Sequence, residues 1–174
     1  MLGGRPTYVE LITHEHRFKA TIYTRGHRLL DMLNDRTTDF LEICDVEVRR
    51  LSTPDECVAT FEEAIVCKDD LHLAMVTGEA HEAPAQRFFR FVQKIPYNVF
   101  LTVPGFEVRG VMHLSDPRRP NPVAVLARET GVFFAVTAAT VFQVLTGEEV
   151  FSCPVIMVNK RSLSLFALSE EPIT

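Results

Sequence analysis

Residues 28–48, RLLDMLNDRTTDFLEICDVEV, decide the fold because a second version of them follows at residues 121–141, NPVAVLARETGVFFAVTAATV. The two versions align without a gap, and each has the pattern of a short helix, a turn and a long strand. We therefore infer an internal duplication. The residues identical in both versions are Leu33 and Leu126, Thr37 and Thr130, Phe40 and Phe133, and Val48 and Val141.

The flanking segments repeat in the same order. Residues 8–23 and 98–114 each predict two strands around a turn. Residues 64–73 and 156–165 each predict a strand, a polar turn and a second strand, as in a hairpin. The sequence thus predicts a mainly β, α+β fold made of a β-β-α-β-β-β unit given twice.

We place the first unit at residues 1–76, a linker at 77–96 and the second unit at 97–174. Five short strands with one small helix are typical of a bent sheet that closes as a small barrel of the SH3 or Sm type. Each unit is near the lower size limit for independent stability, so we expect the two to pack as a pseudo-dimer. The alternative is one continuous sheet sandwich formed from both halves.

Local patterns predict finer features. The apolar residues of the strand after each helix change phase near Asp45 and Ala138, which indicates a bulge or sharp bend at both places. Asn121 is a good N-cap with Pro122 in the first helical position. Residues 86–94, QRFFRFVQK, predict a short helix by the spacing of their phenylalanines, with an extended lead-in to the second unit as the alternative.

Residues 28–34, RLLDMLN, resemble an R-L-x-D-x-L-N motif of a family of small uncharacterised bacterial domains, and residues 158–163, VNKRSL, are similar to that family's later V-N-K/R-x-x-I hairpin. The resemblance implies a fold unit and a bacterial source, and it carries no assigned activity. Each copy keeps only part of the pattern. The departures are Cys67 where the second unit has Asn159, and Ala124 and Ala127 in place of Asp31 and Asn34.

Composition narrows the function classes. The formal net charge of −5 at pH 7 opposes nucleic-acid binding, which usually needs a basic surface. The four cysteines have no metal-site spacing, and no apolar run reaches the length of a membrane span. We therefore expect a cytoplasmic protein without a metal, a cofactor or a membrane span.

Candidate contact residues are few. Arg28 and Asp31 are spaced to form an ion pair within the first helix, and Asn34 is placed to close the end of that helix. All three are alternatively contacts to a partner or ligand. Arg118 and Arg119, in a loop that only the second unit has, are candidates to bind an anion.

No catalytic constellation is visible, because the phosphate-binding, metalloprotease and nucleophile-elbow motifs are all missing. The leading hypothesis is a non-enzymatic module that binds a protein partner or associates with itself. An Sm-like or SH3-like RNA-binding protein, using Arg87 and Arg90 among the phenylalanines of the linker, is the second hypothesis. The third is a small-ligand sensor or enzyme with a pocket between the units.

Overall fold

A computed structural model describes residues 6–77, 94–115, 120–128 and 130–171. Its first half, residues 6–77, runs strand-strand-helix-strand-strand-3₁₀-strand, and its second half, residues 94–171, runs in the same order. The first half contains β1 (Pro6–Ile12), β2 (His16–Tyr23), α1 (Leu29–Asn34), β3 (Phe40–Arg50), β4 (Thr53–Cys67), a 3₁₀ turn (Lys68–Asp70) and β5 (Leu73–Thr77). The second contains β6 (Ile95–Val103), β7 (Phe106–Leu114), α2 (Pro122–Arg128), β8 (Phe133–Gln143), β9 (Glu149–Asn159), a 3₁₀ turn (Lys160–Ser162) and β10 (Leu165–Ser169).

The fold is mainly β, as the sequence predicts. The ten strands form one open antiparallel sheet in the order β10-β6-β7-β8-β9-β5-β1-β2-β3-β4. The two halves meet where β5 pairs with β9, a contact that we call the junction. The strands β4 and β10 form the two edges of the sheet.

The predicted hairpins at residues 64–73 and 156–165 are wrong. The chain leaves β4 through the first 3₁₀ turn, and β5 then pairs with β1 and β9 instead of with β4. In the same way β10 pairs with β6. The backbone N–H of His72 donates to the Ile12 carbonyl, and that of Ser164 donates to the Thr102 carbonyl, so each chain turns toward the first strand of its own half.

The ladders of the two halves have matching registers. The β1–β2 ladder places Val9 opposite Ala20, and the β6–β7 ladder places Val99 opposite Gly110. Likewise, Leu41 faces Val66 in the first half and Phe134 faces Val158 in the second. The offset between corresponding residues stays at 90 for the first two strands and at 92 or 93 for the later ones, as in the sequence alignment.

The predicted bulges are confirmed. Asp45 and Ala138 have φ angles of 51° and 46°, in the left-handed region that few residues other than glycine adopt. Both lie where the ladder to the preceding strand shifts register, between the pairs Lys19–Glu47 and Thr21–Cys44 in the first half. The extra residue bends the strand and increases its twist. Each half of the sheet is therefore bent at its third strand.

The two helices follow the sequence pattern. The Asn121 Oδ1 atom accepts a hydrogen bond of 2.9 Å from the Val123 backbone N–H, and α2 begins at Pro122 as predicted. In α1, Leu29 and Leu33 are buried, and Leu30 packs against the same core. Of the predicted linker helix at 86–94, only Lys94 lies within the described residues, and it precedes β6 in no regular structure.

Two hydrophobic cores lie on opposite faces of the sheet, and each takes residues from both halves. Adjacent residues of β5 alternate between them, because Leu73 and Met75 join the second half's core whereas Ala74 joins that of the first half. The strand β9 does the same with Ile156 and Met157. The junction is thus buried on both faces.

Candidate functional site

The structure places the predicted contact residues in different environments. Arg28 and Asp31 are exposed on α1, and within the described residues no ion pair joins them. Arg118 and Arg119 lie outside the described residues. A role for these four residues in partner or ligand binding stays a prediction.

Asn34 binds the other half of the chain and does not close its own helix. Its Nδ2 atom donates to the Phe133 carbonyl over 2.9 Å, and its Oδ1 atom accepts from the Phe133 N–H over 2.8 Å. The amide thereby satisfies both backbone groups at the first residue of β8, as a neighbouring strand would. We call this pair of hydrogen bonds the Asn34 clamp.

The clamp needs a glycine beside it and has no equivalent in the second half. A Cβ atom at Gly131 would lie 2.5 Å from the Asn34 Oδ1 atom, so a larger residue there would displace the side chain. The residue of α2 that corresponds to Asn34 is Ala127, which carries no hydrogen-bonding group. The first unit thus holds the second through a contact that the second cannot make in return.

Other polar contacts cross the junction. The fully buried Asn159 donates from Nδ2 to the Leu71 carbonyl over 2.8 Å, and its backbone N–H donates to the His72 carbonyl. The exposed Arg161 and Asp69 side chains form an ion pair at 2.5 Å. These bonds align the 3₁₀ turns of the two halves.

His72 also takes part in the polar contacts across the junction. Its Nδ1 atom is 2.7 Å from the Ser162 Oγ atom, and its ring meets that of His14 edge-on at 6.1 Å. Burial lowers the pKa of His72, the charge of His14 adds to that effect, and Asp70 opposes it. The neutral imidazole is therefore the form that this site favours.

A lysine donates to backbone carbonyls near the end of each helix. The buried Lys68 donates from Nζ to the carbonyls of Asp35 and Thr38, both over 2.9 Å, and to the Thr38 hydroxyl over 3.0 Å. Lys160, its counterpart, donates to the Leu126 carbonyl over 2.9 Å. Both lysines tie the end of a helix to the 3₁₀ turn of the same half, so these two aligned lysines have a structural role that needs no ligand.

A cavity of about 500 Å³ lies beside α1. Its walls carry charges of both signs, including Arg25, Asp31 and Lys68, together with the apolar side chains of Met32 and Phe40. The volume is within the range of small-ligand sites. This cavity belongs to the first half.

A second cavity, of about 290 Å³, is lined by both halves, with Asn34 and Asp69 on one side and Phe133 and Arg161 on the other. A ligand pocket between the units therefore stays a prediction.

The free edges of the sheet carry exposed apolar side chains. The strand β4 is fifteen residues long, forms the outer edge for its whole length and exposes Val58, Phe61 and Ile65. Phe40 is exposed beside it, at the start of β3, and Leu165 is exposed on β10 at the opposite edge. Our sequence reasoning missed these residues. A signal was present, because Phe40 and Leu165 align with Phe133 and Leu73, both of which are buried.

Among the described residues no group of three or more His, Cys, Asp and Glu side chains is placed to hold a metal ion. None of the described helices combines the length and the apolar surface needed to cross a bilayer. No protein-family model, curated protein or solved structure matches the chain.

Proposed function

We propose that the chain is a non-enzymatic protein-interaction module whose docking surfaces are the two free edges of its sheet. The observation that carries this proposal is the long β4 edge, which has no strand partner on its outer side among the described residues and lies next to exposed Phe61 and Ile65. Such an edge is a template for an added strand. The neighbouring Glu62 and Glu63 are exposed, so the edge repels phosphate and suits a protein partner better than RNA.

The module arose, in this proposal, by duplication of one small unit. The matching element order and ladder registers of the two halves support common descent, because unrelated segments have no reason to share offsets across four pairings. The conserved positions of the two bulges support it independently. The duplication leaves a fourth strand, β4, and a fifth strand, β10, as the two free ends of one sheet.

Each unit is a strongly bent sheet of the small-barrel type, as in SH3 and Sm folds, and the two pack as a pseudo-dimer. The strand order within each half, fifth-first-second-third-fourth, and the core inside each bend support this view. A bent sheet with a buried concave face leaves its last strands as the natural places for docking.

Hydrogen–deuterium exchange tests the docking function. In the purified chain, diluted until it is monomeric, we expect the outward amides of β4 to exchange fast and those of the interior strand β3 to exchange slowly. When the chain is recovered in its native complexes from the source cells, the β4 amides should become protected while β3 is unchanged. Unprotected β4 and β10 amides in those complexes would refute the proposal.

A small-ligand sensor is the second candidate, because of the cavity beside α1. The opposed charges of Asp31 and Arg25 on its walls suit a small zwitterion or a short acidic ligand with polar groups. An NMR titration with mixtures of such metabolites should shift amide signals only around the cavity, at residues such as Met32 and Leu41. The absence of any localised shift removes this candidate.

A further inference from the structure

We infer that one occupant of the β4 edge is the β10 strand of a second copy of this chain, paired in the register that the junction already uses. This inference rests on the proposed docking function and names its partner. The junction supplies the template, because it shows how a fifth strand of one unit pairs with the fourth strand of another.

Each free edge lacks the partner that its counterpart has. Inside the chain, β5 of the first unit pairs with β9 of the second. The fifth strand of the second unit is β10, which corresponds to β5, and the fourth strand of the first unit is β4, which corresponds to β9. Among the described strands, β10 and β4 end the sheet and have no such fourth-to-fifth pairing. A second copy laid end to end supplies a β10 for β4 and repeats the internal contact between molecules.

Burial shows that the apolar residues for this contact are already in place. Three side chains buried at the junction, Leu73, Phe133 and Met157, are 0%, 1% and 3% exposed. Their counterparts Leu165, Phe40 and Ile65 are 49%, 51% and 63% exposed. The free edges thus expose apolar groups at the positions where the junction buries them, and pairing would cover them from both sides.

The junction fixes the register. It pairs Leu73 with Val158, Ala74 with Met157 and Met75 with Ile156. Transferred by the repeat offset of 92, the intermolecular ladder pairs Leu165 with Val66, Phe166 with Ile65 and Ala167 with Ala64. A one-residue slip would set residues of opposite faces against each other, so this register is specified by the side chains.

Polar groups at the turns agree with the same arrangement. The internal ion pair joins Asp69 to Arg161, and these two residues are each other's counterparts. The intermolecular contact therefore brings a second Arg161 to an Asp69 that its own chain already pairs. At the junction, the Asn159 N–H donates to the His72 carbonyl. Ser164 is the counterpart of His72 and is held in the same way, because its N–H donates to the Thr102 carbonyl as the His72 N–H donates to the Ile12 carbonyl. The Ser164 carbonyl is therefore placed to accept from the N–H of a second copy's Cys67.

Two contacts of the junction are missing from the intermolecular version, which makes it weaker and reversible. Ala127 cannot clamp the second copy's Phe40 as Asn34 clamps Phe133, and Cys67 replaces the buried amide of Asn159. The end of the neighbour's α2 would instead lie against Phe40, at the rim of the cavity beside α1.

The contact is head-to-tail, because it uses different strands on the two molecules. Each copy has one β4 edge and one β10 edge, so association continues until a ring closes or a fibre grows. This arrangement differs from a two-fold dimer, in which each edge would pair with the same edge of its partner. The difference can be tested with variants that block one edge at a time.

The first experiment is a complementation of blocked edges, measured by sedimentation velocity over a range of concentrations. We expect the unmodified chain to form oligomers, and Ile65→Lys and Leu165→Lys each to remain monomeric when alone. Leu145→Lys, at an apolar residue that is 90% exposed in the β8–β9 turn, is the matched control and should associate as the unmodified chain does. An equimolar mixture of the two edge variants has one free β4 and one free β10, so it should form a dimer and nothing larger.

The second experiment tests the register by disulfide cross-linking of two variants that each carry one introduced cysteine. Ala167→Cys mixed with Ala64→Cys places the thiols on directly opposed residues. Ala167→Cys mixed with Glu62→Cys places them on diagonal residues, whose Cα atoms lie about 7–8 Å apart, beyond ordinary disulfide reach. We expect at least about tenfold more cross-linked dimer from the first mixture.

Most of the native cysteines are replaced for this test. Cys57 is exposed and Cys67 lies on the β4 edge, so both are replaced by serine. Burial raises the pKa of Cys153 to about 11, so this thiol stays protonated at mildly alkaline pH. Burial also raises the pKa of Cys44, and because this thiol is half-buried it is replaced by serine too.

Three results overturn the inference. Association of Ile65→Lys or Leu165→Lys alone would show an edge pairing with itself, and equal cross-linking of both cysteine mixtures would show a different register. An unmodified chain that is monomeric at every concentration refutes docking of a second copy. If its β4 or β10 amides are nevertheless protected in the native complexes, the proposed docking function survives with another protein as partner; if both strands are exposed there too, both fail.

Discussion

Replacing Asn34 by alanine removes the clamp between α1 and β8 and should cost about 2 kcal/mol of unfolding free energy. The change leaves the Phe133 N–H and carbonyl without their partner, at a residue that is 1% exposed. An unpaired buried backbone group costs about 1–3 kcal/mol. The better helix propensity of alanine returns about 0.5 kcal/mol. The sum is a loss of about 2 kcal/mol or somewhat more.

Urea unfolding followed by circular dichroism measures this loss. With a slope of about 2 kcal/mol per molar urea, the midpoint should fall by about 1 M. Asp31→Ala is the matched control, because Asp31 is exposed on the same helix and has no ion pair with Arg28. Its midpoint should change by no more than about 0.25 M, the equivalent of a surface substitution of about 0.5 kcal/mol.

A double-mutant cycle with Gly131 tests the cause. In the unmodified chain, Gly131→Ala should destabilise the protein, because the new Cβ atom would lie 2.5 Å from the Asn34 Oδ1 atom. In the Asn34→Ala background that conflict is absent, so the same change should be nearly neutral. We expect a coupling of about 1–2 kcal/mol. Additive effects, or an Asn34→Ala midpoint equal to that of Asp31→Ala, would refute the clamp.

Three further predictions use the same unfolding assay. Ala138→Gly should stabilise the chain by about 1 kcal/mol, because glycine adopts the left-handed φ of 46° without strain. Ala135→Gly, in the same strand, should destabilise the chain by a similar amount. A loss of stability at both positions would contradict the bulge geometry. Lys68→Met should cost about 2 kcal/mol, because three acceptors lose their charged donor, and Lys160→Met should cost less; equal costs would count against the bonding pattern. Burial lowers the pKa of His72 in the folded state, so the unfolded chain takes up a proton first as the pH falls. The contribution of His72 to stability is therefore complete above the unfolded-state pKa of about 6.5 and decreases below it. His72→Ser should flatten that decrease, and an unchanged pH profile would disprove this role.

The features that follow from local pattern were predictable from the sequence. The phase change of the apolar residues indicated the bulges at Asp45 and Ala138, because alternation along a strand is a local property. The start of α2 was predictable for the same reason, since Asn121 and Pro122 act on the turn that they begin. The mainly β class followed from the number of strand-like segments.

The features that depend on distant partners were not predictable in this way. Residues 64–73 have the pattern of a hairpin, but β5 pairs with β1 and β9 instead of β4. A local pattern holds no information about strands that are distant in the sequence and compete for the same pairing. Asn34 was assigned to the end of its own helix, whereas its partner Phe133 is 99 residues away. The exposed edge residues were missed because exposure depends on which strands are last in the sheet.

The two-sided burial of β5 has a consequence for how the chain tolerates change. Deleting one residue from this strand would turn Leu73 and Met75 to the opposite side and bring Ala74 into the place of a large side chain. Both hydrophobic cores would then be mispacked at once, because one would gain side-chain volume and the other would lose it. Insertions and deletions should therefore be tolerated near Gly147, in the exposed turn after β8. Within β5 and β9, the middle two strands of the sheet, they should prevent folding.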